Sequence, residues 1–538
     1  ANADATDGDI TFSSTVDGAQ SLTLDADTGS VTISGATGSG VALSSLAVTA
    51  AGQVDLGSVA TTGAQSVTGT NIDLNGASYS SDDGTIAFSG AVELTVDVSV
   101  DSDANADATD GDITFSSTVD GPNNLTLDAD TGQIKFHGNV GATPTVPPGL
   151  GLGDGSADAI TISGGDVDFG VGSKIVVNLN GRLLITANNH TLQTPSSVGA
   201  LSTIAYTGSG VSSVVQIDGS NLTLQNLEIK GGKQPADPPL AHGHGIYISS
   251  GSGNTIQDNS IHGNEQHGVR IDAGTGNTIS VNTIFDNGKL GIDLKGDPLL
   301  DPSIIELSNG VTLNDKDFGT ISNSDSDAGP NNLQNTPEVL YAFIVRDGGG
   351  LVDELRISYH IPSDTAHSAY GNGITTEFFL ADFLNDGTEL VAGSGRDGRE
   401  GATFLGSSTY TDDANNEAMS SFNKSFVRGD LSATVLGVLD SAAVAGFEKP
   451  VRIVATATDV DGNTSEFSRA AVINPEPGIE GAHDPEHWGN LGTASEEAPQ
   501  LNDIDQLSQA GFFFTPGPDL PDPSGLEVPE FVFEWSIA

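Results

Sequence analysis

Carboxylates recur along this chain at short spacing, in groups that could hold a hard metal ion. Alternate Asp and Asn side chains on a loop direct several oxygen ligands toward one point, which suits Ca²⁺ and not a soft metal. None of the groups matches the full EF-hand loop, and Asp-Gly is also an ordinary turn sequence, so both interpretations stay open. We predict calcium at one or more groups, above all within 314–327. The predicted ligands are Asp4, Asp7 and Asp9, their repeats Asp107, Asp110 and Asp112, then Asp315, Asp317, Asn323, Asp325 and Asp327, and finally Asp459, Asp461 and Asn463.

A second group could carry acid–base chemistry. Tyr247, Arg270 and Asp293 recur at a spacing of 23 residues, and Asp272 follows Arg270 by two. In stacked coils they would form an outward-facing column, the kind of face from which β-helix polysaccharide lyases and glycosidases work. One Arg above one Asp is more simply a cross-strand ion pair. The catalytic alternative therefore consists of Arg270, Asp272 and Asp293, and we expect no enzyme.

Histidines and asparagines also recur at the 23-residue spacing. His244 and His267 could share a metal ion with Glu265 nearby, although exposed stacked rings at a turn are the simpler interpretation because no fixed ligand spacing is present. The Asn pairs predict amide ladders that satisfy polar groups at buried bends. The His cluster is His242, His244, His262 and His267, and the Asn pairs are Asn254/Asn277, Asn259/Asn282 and Asn264/Asn287.

The elements that must position these residues are short strands in a repeat array. The segment Ala1–Gly35 recurs almost unchanged as Ala104–Gly138, so one module of this length would contribute several stacked coils. Pairs of apolar residues such as Ile10/Phe12 and Val31/Ile33 are separated by Gly, Asp or Asn, which predicts three-residue strands with both ends facing inward. Such strands persist only when coils stack. About fourteen coils at ~4.8 Å would form a rod ~65 Å long.

The cleanest register lies in GIYI, GVRI and GIDL, which begin at Gly245, Gly268 and Gly291. These predict successive coils of a right-handed parallel β-helix. The Pro-rich segment Thr143–Gly149 is either a loop or a joint between domains.

Two resemblances follow from these patterns. GDITFSSTVDGAQSLTLDADTGSVTISG resembles the strand repeats of giant bacterial adhesins of the filamentous-haemagglutinin type. The order GIDL, DAGPNNLQNTPEVL, ITTEFFLADFL and VRIVATATDVDGNTSEFS, within Gly245–Ser468, resembles bacterial surface proteins in which a right-handed parallel β-helix precedes an Ig-like β-sandwich. The chain departs from that pattern by a long insertion between Asp382 and Thr403. The resemblance implies export and no settled enzymatic chemistry.

Composition limits the function classes. The chain carries 72 Asp plus Glu against 18 Lys plus Arg, a net charge of −54, which excludes a nucleic-acid partner. Charge spread along a rod is less repulsive than in a globule, and divalent cations can neutralise the remainder. Cys is absent, which favours a bacterial exported protein, and no apolar run is long enough for a transmembrane helix. The chain opens on the first residue of the repeat, so we expect a processed precursor or a start within a longer protein.

These observations predict an all-β fold with four parts: adhesin-type strand repeats (1–140), a right-handed parallel β-helix (141–320), a β-sandwich (335–473) and an extended acidic tail (474–538). The tail ends in an amphipathic strand that could be donated to another copy, formed by Phe531, Phe533, Trp535 and Ile537. We expect a structural stalk or fibre subunit of a bacterial adhesin or matrix filament at the cell surface. Its copies would assemble through exposed solenoid ends or strand donation. The alternatives are a glycan-active β-helix enzyme and a calcium-dependent module that binds surface glycans.

Overall fold

The computed structural model describes residues 8–105, 110–141, 151–156, 158–234, 242–295, 329–361, 373–381, 399–410, 422–445 and 451–474. All of them belong to one compact unit, Ala1–Glu476. Two all-β parts follow one another along the chain, a parallel β-helix up to Leu294 and a mostly antiparallel sheet from Glu338. The predicted all-β class is confirmed.

The β-helix is a stack of short parallel strands. Those of its first half are β1 (Ile10–Phe12), β2 (Ser21–Asp25), β3 (Val31–Ile33), β4 (Ser45–Thr49), β5 (Gln53–Leu56), β6 (Val59–Thr61), β7 (Gln65–Leu74), β8 (Ser78–Ser81), β9 (Ile86–Leu94), β10 (Val98–Asp101), β11 (Ile113–Phe115), β12 (Val119–Asp120) and β13 (Leu125–Phe136). Those of its second half are β14 (Asp158–Phe169), β15 (Val176–Leu179), β16 (Arg182–Ile185), β17 (Thr191–Gln193), β18 (Ser202–Tyr206), β19 (Val215–Ile217), β20 (Thr223–Gln225), β21 (Leu227–Lys230), β22 (Ile246–Ile248), β23 (Thr255–Gln257), β24 (Ser260–His262), β25 (Val269–Ile271), β26 (Thr278–Ser280), β27 (Thr283–Phe285) and β28 (Ile292–Leu294).

Each coil has three faces, and the strands of each face pair in register with the next coil. One face runs through β1, β3, β5, β7, β9, β12, Val140, β15, β18, β21, β24 and β27, which makes twelve levels. At ~4.8 Å per level the stack is roughly 53 Å long, shorter than the fourteen-coil expectation. β13 pairs with β14 and Val140 with Val177, so all three faces continue from the described residues before the Pro-rich segment to those after it.

The two sequence repeats lie on different faces of the helix. Ile10 belongs to the face that continues through Val54 and Val92, whereas its repeat Ile113 stacks on Ile86 in the neighbouring face. The repeat is therefore not a whole number of coils. Local packing nevertheless matches in both copies, since Ile10 pairs with Val31 as Ile113 pairs with Ile134.

A column of aromatic rings fills one interior corner. Phe88, Phe115, Phe136 and Phe169 stack with ring centroids 5.4, 5.3 and 5.7 Å apart, and all four are fully buried. Offset stacking adds to the transfer free energy of each buried ring, so the column holds the coils in register. The alternating inward residues of every strand extend the same apolar core along the helix.

The second part is a seven-stranded sheet ordered β32-β31-β34-β35-β29-β30-β33. Phe378 on β31 packs against Tyr359 on β30, with centroids 5.1 Å apart, so the two halves of the sheet enclose one core. We call this part the sandwich. Its elements are β29 (Glu338–Arg346), β30 (Val352–His360), β31 (Ile374–Ala381), β32 (Gly401–Tyr410), β33 (Phe422–Val427), a 3₁₀ turn (Arg428–Asp430), α1 (Ala433–Val444), β34 (Arg452–Thr458) and β35 (Ala471–Asn474). Two further 3₁₀ turns of the described chain, Ser196–Val198 and Pro330–Leu333, precede it. The Ig-like subclass stays a prediction.

Replacing Phe115 by Ala should lower the free energy of unfolding by about 3–5 kcal/mol, because the cavity removes ring contacts with the coils on both sides. Urea denaturation followed by circular dichroism measures the change. Ser116→Ala, at an exposed neighbouring position, is the matched control and should be nearly neutral. Equal midpoints for the two variants would contradict the stacked core.

Candidate functional site

The asparagine ladders predicted from the sequence are confirmed. The Nδ2 of Asn254 donates to Oδ1 of Asn277 at 2.9 Å, and both side chains are buried. Each Oδ1 also accepts the backbone N–H of the residue beneath it, as Asn277 does from Asn254 at 3.2 Å. The ladders therefore satisfy the polar groups of three buried bends. The other two pairs are Asn259–Asn282 (3.1 Å) and Asn264–Asn287 (2.8 Å).

Residues from beyond the β-helix continue the first ladder. Asn331 takes the next position above Asn277, where its Oδ1 accepts the Asn277 N–H at 3.0 Å and its Nδ2 donates to the Asn277 carbonyl at 2.7 Å. Asn331 has φ of 48°, a left-handed conformation that Asn tolerates better than most residues. An amide from outside the repeat thus replaces the missing coil.

Glutamates of the sandwich terminate the other two bends. Glu400 accepts from Nδ2 of Asn287 at 2.8 Å. Glu377 accepts the Ser280 hydroxyl at 2.6 Å through Oε1 and the Val281 N–H at 2.9 Å through Oε2. Burial raises the pKa of Glu377, since its carboxylate is removed from water and only partly compensated by these bonds.

The remaining last-coil contacts complete a surface that we call the capping surface. Thr464 Oγ1 accepts the Ile279 N–H at 2.9 Å, and Glu466 accepts the Leu294 N–H at 3.0 Å. Phe467 lies so close to Gly291 that a Cβ at that position would fall 2.8 Å from its ring. The expectation of open strand edges at both solenoid ends is therefore wrong for this end, because the chain's own sandwich covers it.

The Asp-Gly-Asn turn at 459–463 serves the capping surface. Asp459 Oδ1 accepts the N–H groups of Asp461 (2.9 Å) and Asn463 (2.8 Å), and its Oδ2 accepts the Asn463 amide at 2.8 Å. Asn463 Oδ1 in turn accepts the Gly276 N–H of the helix at 2.6 Å. Both Asp459 oxygens and the Asn463 side chain are thus engaged in the turn and its contact with the helix, and calcium at Asp459, Asp461 and Asn463 stays a prediction.

The repeated aspartates divide between two roles. Asp9 and Asp112 hold equivalent corners, accepting the N–H groups of Ser30 (2.9 Å) and Gln133 (3.0 Å), and Asp112 also pairs with Lys135. Asp110 instead meets Asp103 and Asp130, with one carboxylate oxygen of each within 4.8 Å of the others. Sequence reasoning missed Asp103, which lies seven residues before Asp110 between β10 and β11, whereas the next coil brings in Asp130. Outside the described residues lie Asp4, Asp7, Asp107, Asp315, Asp317, Asn323, Asp325 and Asp327.

A ladder of like charges runs along another face. Asp55, Asp73, Glu93 and Asp120 occupy successive coils in register. Gln53 bridges the first two, donating to Asp55 at 2.7 Å and to Asp73 at 2.6 Å. Burial and then the neighbouring Asp55 raise the pKa of Asp73, and burial and then Asp120 raise the pKa of Glu93. In-register stacking therefore places these carboxylates close enough to repel one another.

The column proposed for catalysis is present but is not an open face. Tyr247 pairs with Arg270, and Arg270 with Asp293, as the spacing predicts. Arg270 is 4% exposed and Asp293 fully buried, whereas the sequence placed both outward. Arg270 Nη1 contacts Asp293 at 2.5 Å and its Nε contacts Asp272 at 2.7 Å. The ion-pair interpretation accounts for these contacts.

Of the four clustered histidines, His244 and His267 are buried, whereas His242 and His262 are half-buried. His244 and His267 stack with ring centroids 5.3 Å apart, and Nε2 of His267 lies 3.5 Å from Asp293. Burial, then the nearby His244 and Arg270, lower the pKa of His267 well below its usual range. The neutral ring accepts the Leu290 N–H through Nδ1 at 3.3 Å. Glu265 is exposed and accepts the Gln234 N–H instead of joining the pair.

Comparison with known proteins supports the fold of the central region. A family model described as the right handed beta helix region matches residues 151–333. No curated protein matches the chain. No helix among the described residues is long and apolar enough to cross a membrane.

Stability should fall as pH rises through the titration of the like-charge ladder. The folded-state pKa of Asp73 is raised above its ordinary value of 3.8. At pH values between the unfolded and the folded pKa, the folded chain therefore binds more protons than the unfolded chain. Asp73→Asn should raise stability at neutral pH by a few tenths of a kcal/mol and weaken this pH dependence. Urea midpoints from pH 3.5 to 7.5 measure both effects, with exposed Asp83→Asn as control. A destabilised Asp73→Asn variant would contradict the repulsion.

Calcium binding stays a prediction, and the cluster of Asp103, Asp110 and Asp130 is the site at which it can be tested. Thermal unfolding of the full chain in about 1 mM CaCl₂ and in EGTA should show a calcium-dependent rise in Tm if the Asp103, Asp110 and Asp130 oxygens bind the ion. Asp110→Asn should abolish most of this rise, whereas Asp112→Asn, whose carboxylate pairs with Lys135, should retain it. Equal responses of both variants and wild type would indicate diffuse neutralisation of charge instead of this site.

Proposed function

We propose that this chain is a structural rod of a bacterial extracellular surface assembly, a stalk whose β-helix is closed at one end by its own sandwich. The stalk sets a distance and a direction, so its function needs stiffness and a defined end. Stacked coils supply stiffness because each strand bonds to the strands before and after it. The high negative charge, spread over a rod, keeps copies soluble and apart.

The capping surface is the observation that carries this proposal. An uncapped solenoid presents a row of unpaired N–H groups to any other strand, which leads to edge-to-edge association. Here the N–H groups of Ile279, Val281 and Leu294 all donate to side chains of the sandwich. Caps at solenoid ends prevent such association and keep the protein soluble, so a capped end fits a rod of defined length.

With the sandwich over its last coil, the rod does not assemble through this end, unlike the assembly through both solenoid ends expected from the sequence. Strand donation by Phe531, Phe533, Trp535 and Ile537 stays a prediction, because these residues lie outside the described part. The glycan-active alternative has no support from the Arg270 column, since Arg270 and Asp293 are buried.

The test removes two capping carboxylates. In the full chain, Glu377→Ala with Glu400→Ala leaves the N–H groups at two bends without acceptors, and each lost bond to a carboxylate costs about 1.5–3 kcal/mol. We expect rods of uniform length for wild type and concentration-dependent, end-to-end longer particles for the double variant. Negative-stain imaging and sedimentation velocity measure particle length and mass.

The matched control is Asp353→Ala, which removes an exposed sandwich carboxylate remote from the helix ladder. It should behave as wild type. Globular wild-type particles would refute the rod, whereas a double variant that stays monomeric and equally stable would refute the capping role while leaving the rod intact.

A further inference from the structure

The opposite end of the β-helix presents an apolar face that no described residue covers. We call it the N-terminal face, formed by Ile10, Phe12, Val16 and Leu22. All four side chains are partly exposed although they point toward the core. Within the described residues they pair with the coil that follows, as Ile10 does with Val31 and Leu22 with Leu46.

In the second copy of the repeat, the equivalent residues are covered by a preceding coil and are buried. Ile113, Phe115, Val119 and Leu125 are the counterparts of Ile10, Phe12, Val16 and Leu22, and each is at most 1% exposed. The covering coil is Ile86–Asp101, formed by β9 and β10. Its inward residues oppose the repeat in register, with Ile86 on Ile113, Phe88 on Phe115, Val92 on Val119 and Val98 on Leu125.

Backbone hydrogen bonds differ between the two copies of the repeat in the same way. In the second copy the carbonyls of Asp112, Thr118 and Asn124 accept the N–H groups of Ile86 (2.9 Å), Val92 (2.8 Å) and Val98 (2.9 Å). The equivalent carbonyls of the first copy belong to Asp9, Thr15 and Ser21, and no N–H group of the described chain reaches them from the outer side. The N-terminal face therefore offers acceptors at the same three places where the covered copy is bonded.

We propose that the N-terminal face binds a coil of the Ile86–Asp101 type, supplied by a further copy of the repeat. The occupant is a single coil whose inward residues follow the Ile, Phe, Val, Val order and whose N–H groups donate to the carbonyls of Asp9, Thr15 and Ser21. The internal junction between β9 and β11 is the structural template for this contact, because the sequences on the accepting side are almost identical.

A second molecule of this chain fits the face less well. Head-to-tail stacking requires the last coil of the partner, and the sandwich occupies that edge through Glu377, Glu400 and Thr464. The coil Ile86–Asp101 inside a folded copy is itself covered by β11 and β13, so it is not available to a neighbour. A newly added repeat coil meets neither obstacle.

The experiment adds one coil to the full chain. Residues Asp82–Asp103 are duplicated in front of Ala1, which recreates the natural junction of Asp103 with the first residue of a repeat. We expect amide hydrogen exchange at Ile10–Phe12 to slow by roughly tenfold or more relative to the unextended chain. The Tm should rise as well, because four apolar side chains lose contact with water.

The control carries the same extension with Phe88→Asp and Val92→Asp in the duplicated segment alone. It has the same length but lacks the inward residues, so exchange at Ile10–Phe12 should match the unextended chain. Equal protection by both extensions, or by neither, would overturn the proposal. A concentration-dependent dimer of the unextended chain that protects Ile10–Phe12 would assign the face to self-association and also overturn it. None of these outcomes depends on the capping surface at the other end.

Discussion

Coil-on-coil stacking is the interaction on which the rest of this structure depends. A strand of three residues such as Val31–Ile33 cannot bury its side chains alone, and it becomes stable only when the coils on both sides cover the same core. The stacked rings of Phe88, Phe115 and Phe136 make this dependence visible, since each ring is buried by its neighbours in the next coils. Every interior coil is thus stabilised from both sides, whereas a terminal coil has a neighbouring coil on one side and needs another kind of contact on the other.

The terminal coils therefore decide what the molecule can do. At the sandwich end, the capping surface supplies the hydrogen-bond acceptors that a further coil would supply. Asn331 continues one amide ladder, and Glu400 accepts from the last amide of another. The side-chain acceptors are carboxylates, amides and the Thr464 hydroxyl instead of a further strand, so these N–H groups are satisfied without a new open strand edge. At the N-terminal face, no described residue covers the end of the apolar core or bonds to the three carbonyls from the outer side. The two ends are therefore chemically different.

Register has an electrostatic cost in this fold. Parallel in-register stacking places identical or similar side chains directly above one another, so Asp55, Asp73 and Glu93 repel along one face. The same rule makes the Asn254–Asn277 ladder favourable, because an amide both donates and accepts whereas a carboxylate only accepts. On a third face, Arg270 beneath Asp293 turns stacking into a buried ion pair. Buried pairs of this kind add little net stability, but loss of one partner would be costly.

Much of the β-helix is predictable from the sequence because its rule is local and repeated. The 23-residue spacing of Ile248, Ile271 and Leu294 determines both the coil and the register, and the structure pairs these residues as expected. The amide ladders follow from the same spacing, since any polar residue that recurs once per coil must meet its copy.

Which polar side chains are buried, and how the β-helix ends, were decided only by the tertiary structure. Spacing places Arg270 and His267 on the helix but does not indicate what lies against them, so both were expected in solvent and are buried. The capping surface joins residues far apart in sequence, such as Ser280 and Glu377, and no periodic pattern links them. The cluster of Asp103, Asp110 and Asp130 forms because adjacent coils meet at one corner. Repetition along the sequence determined how coils stack, whereas contacts between non-repeating segments determined where the stack ends, because only folding brings such segments together.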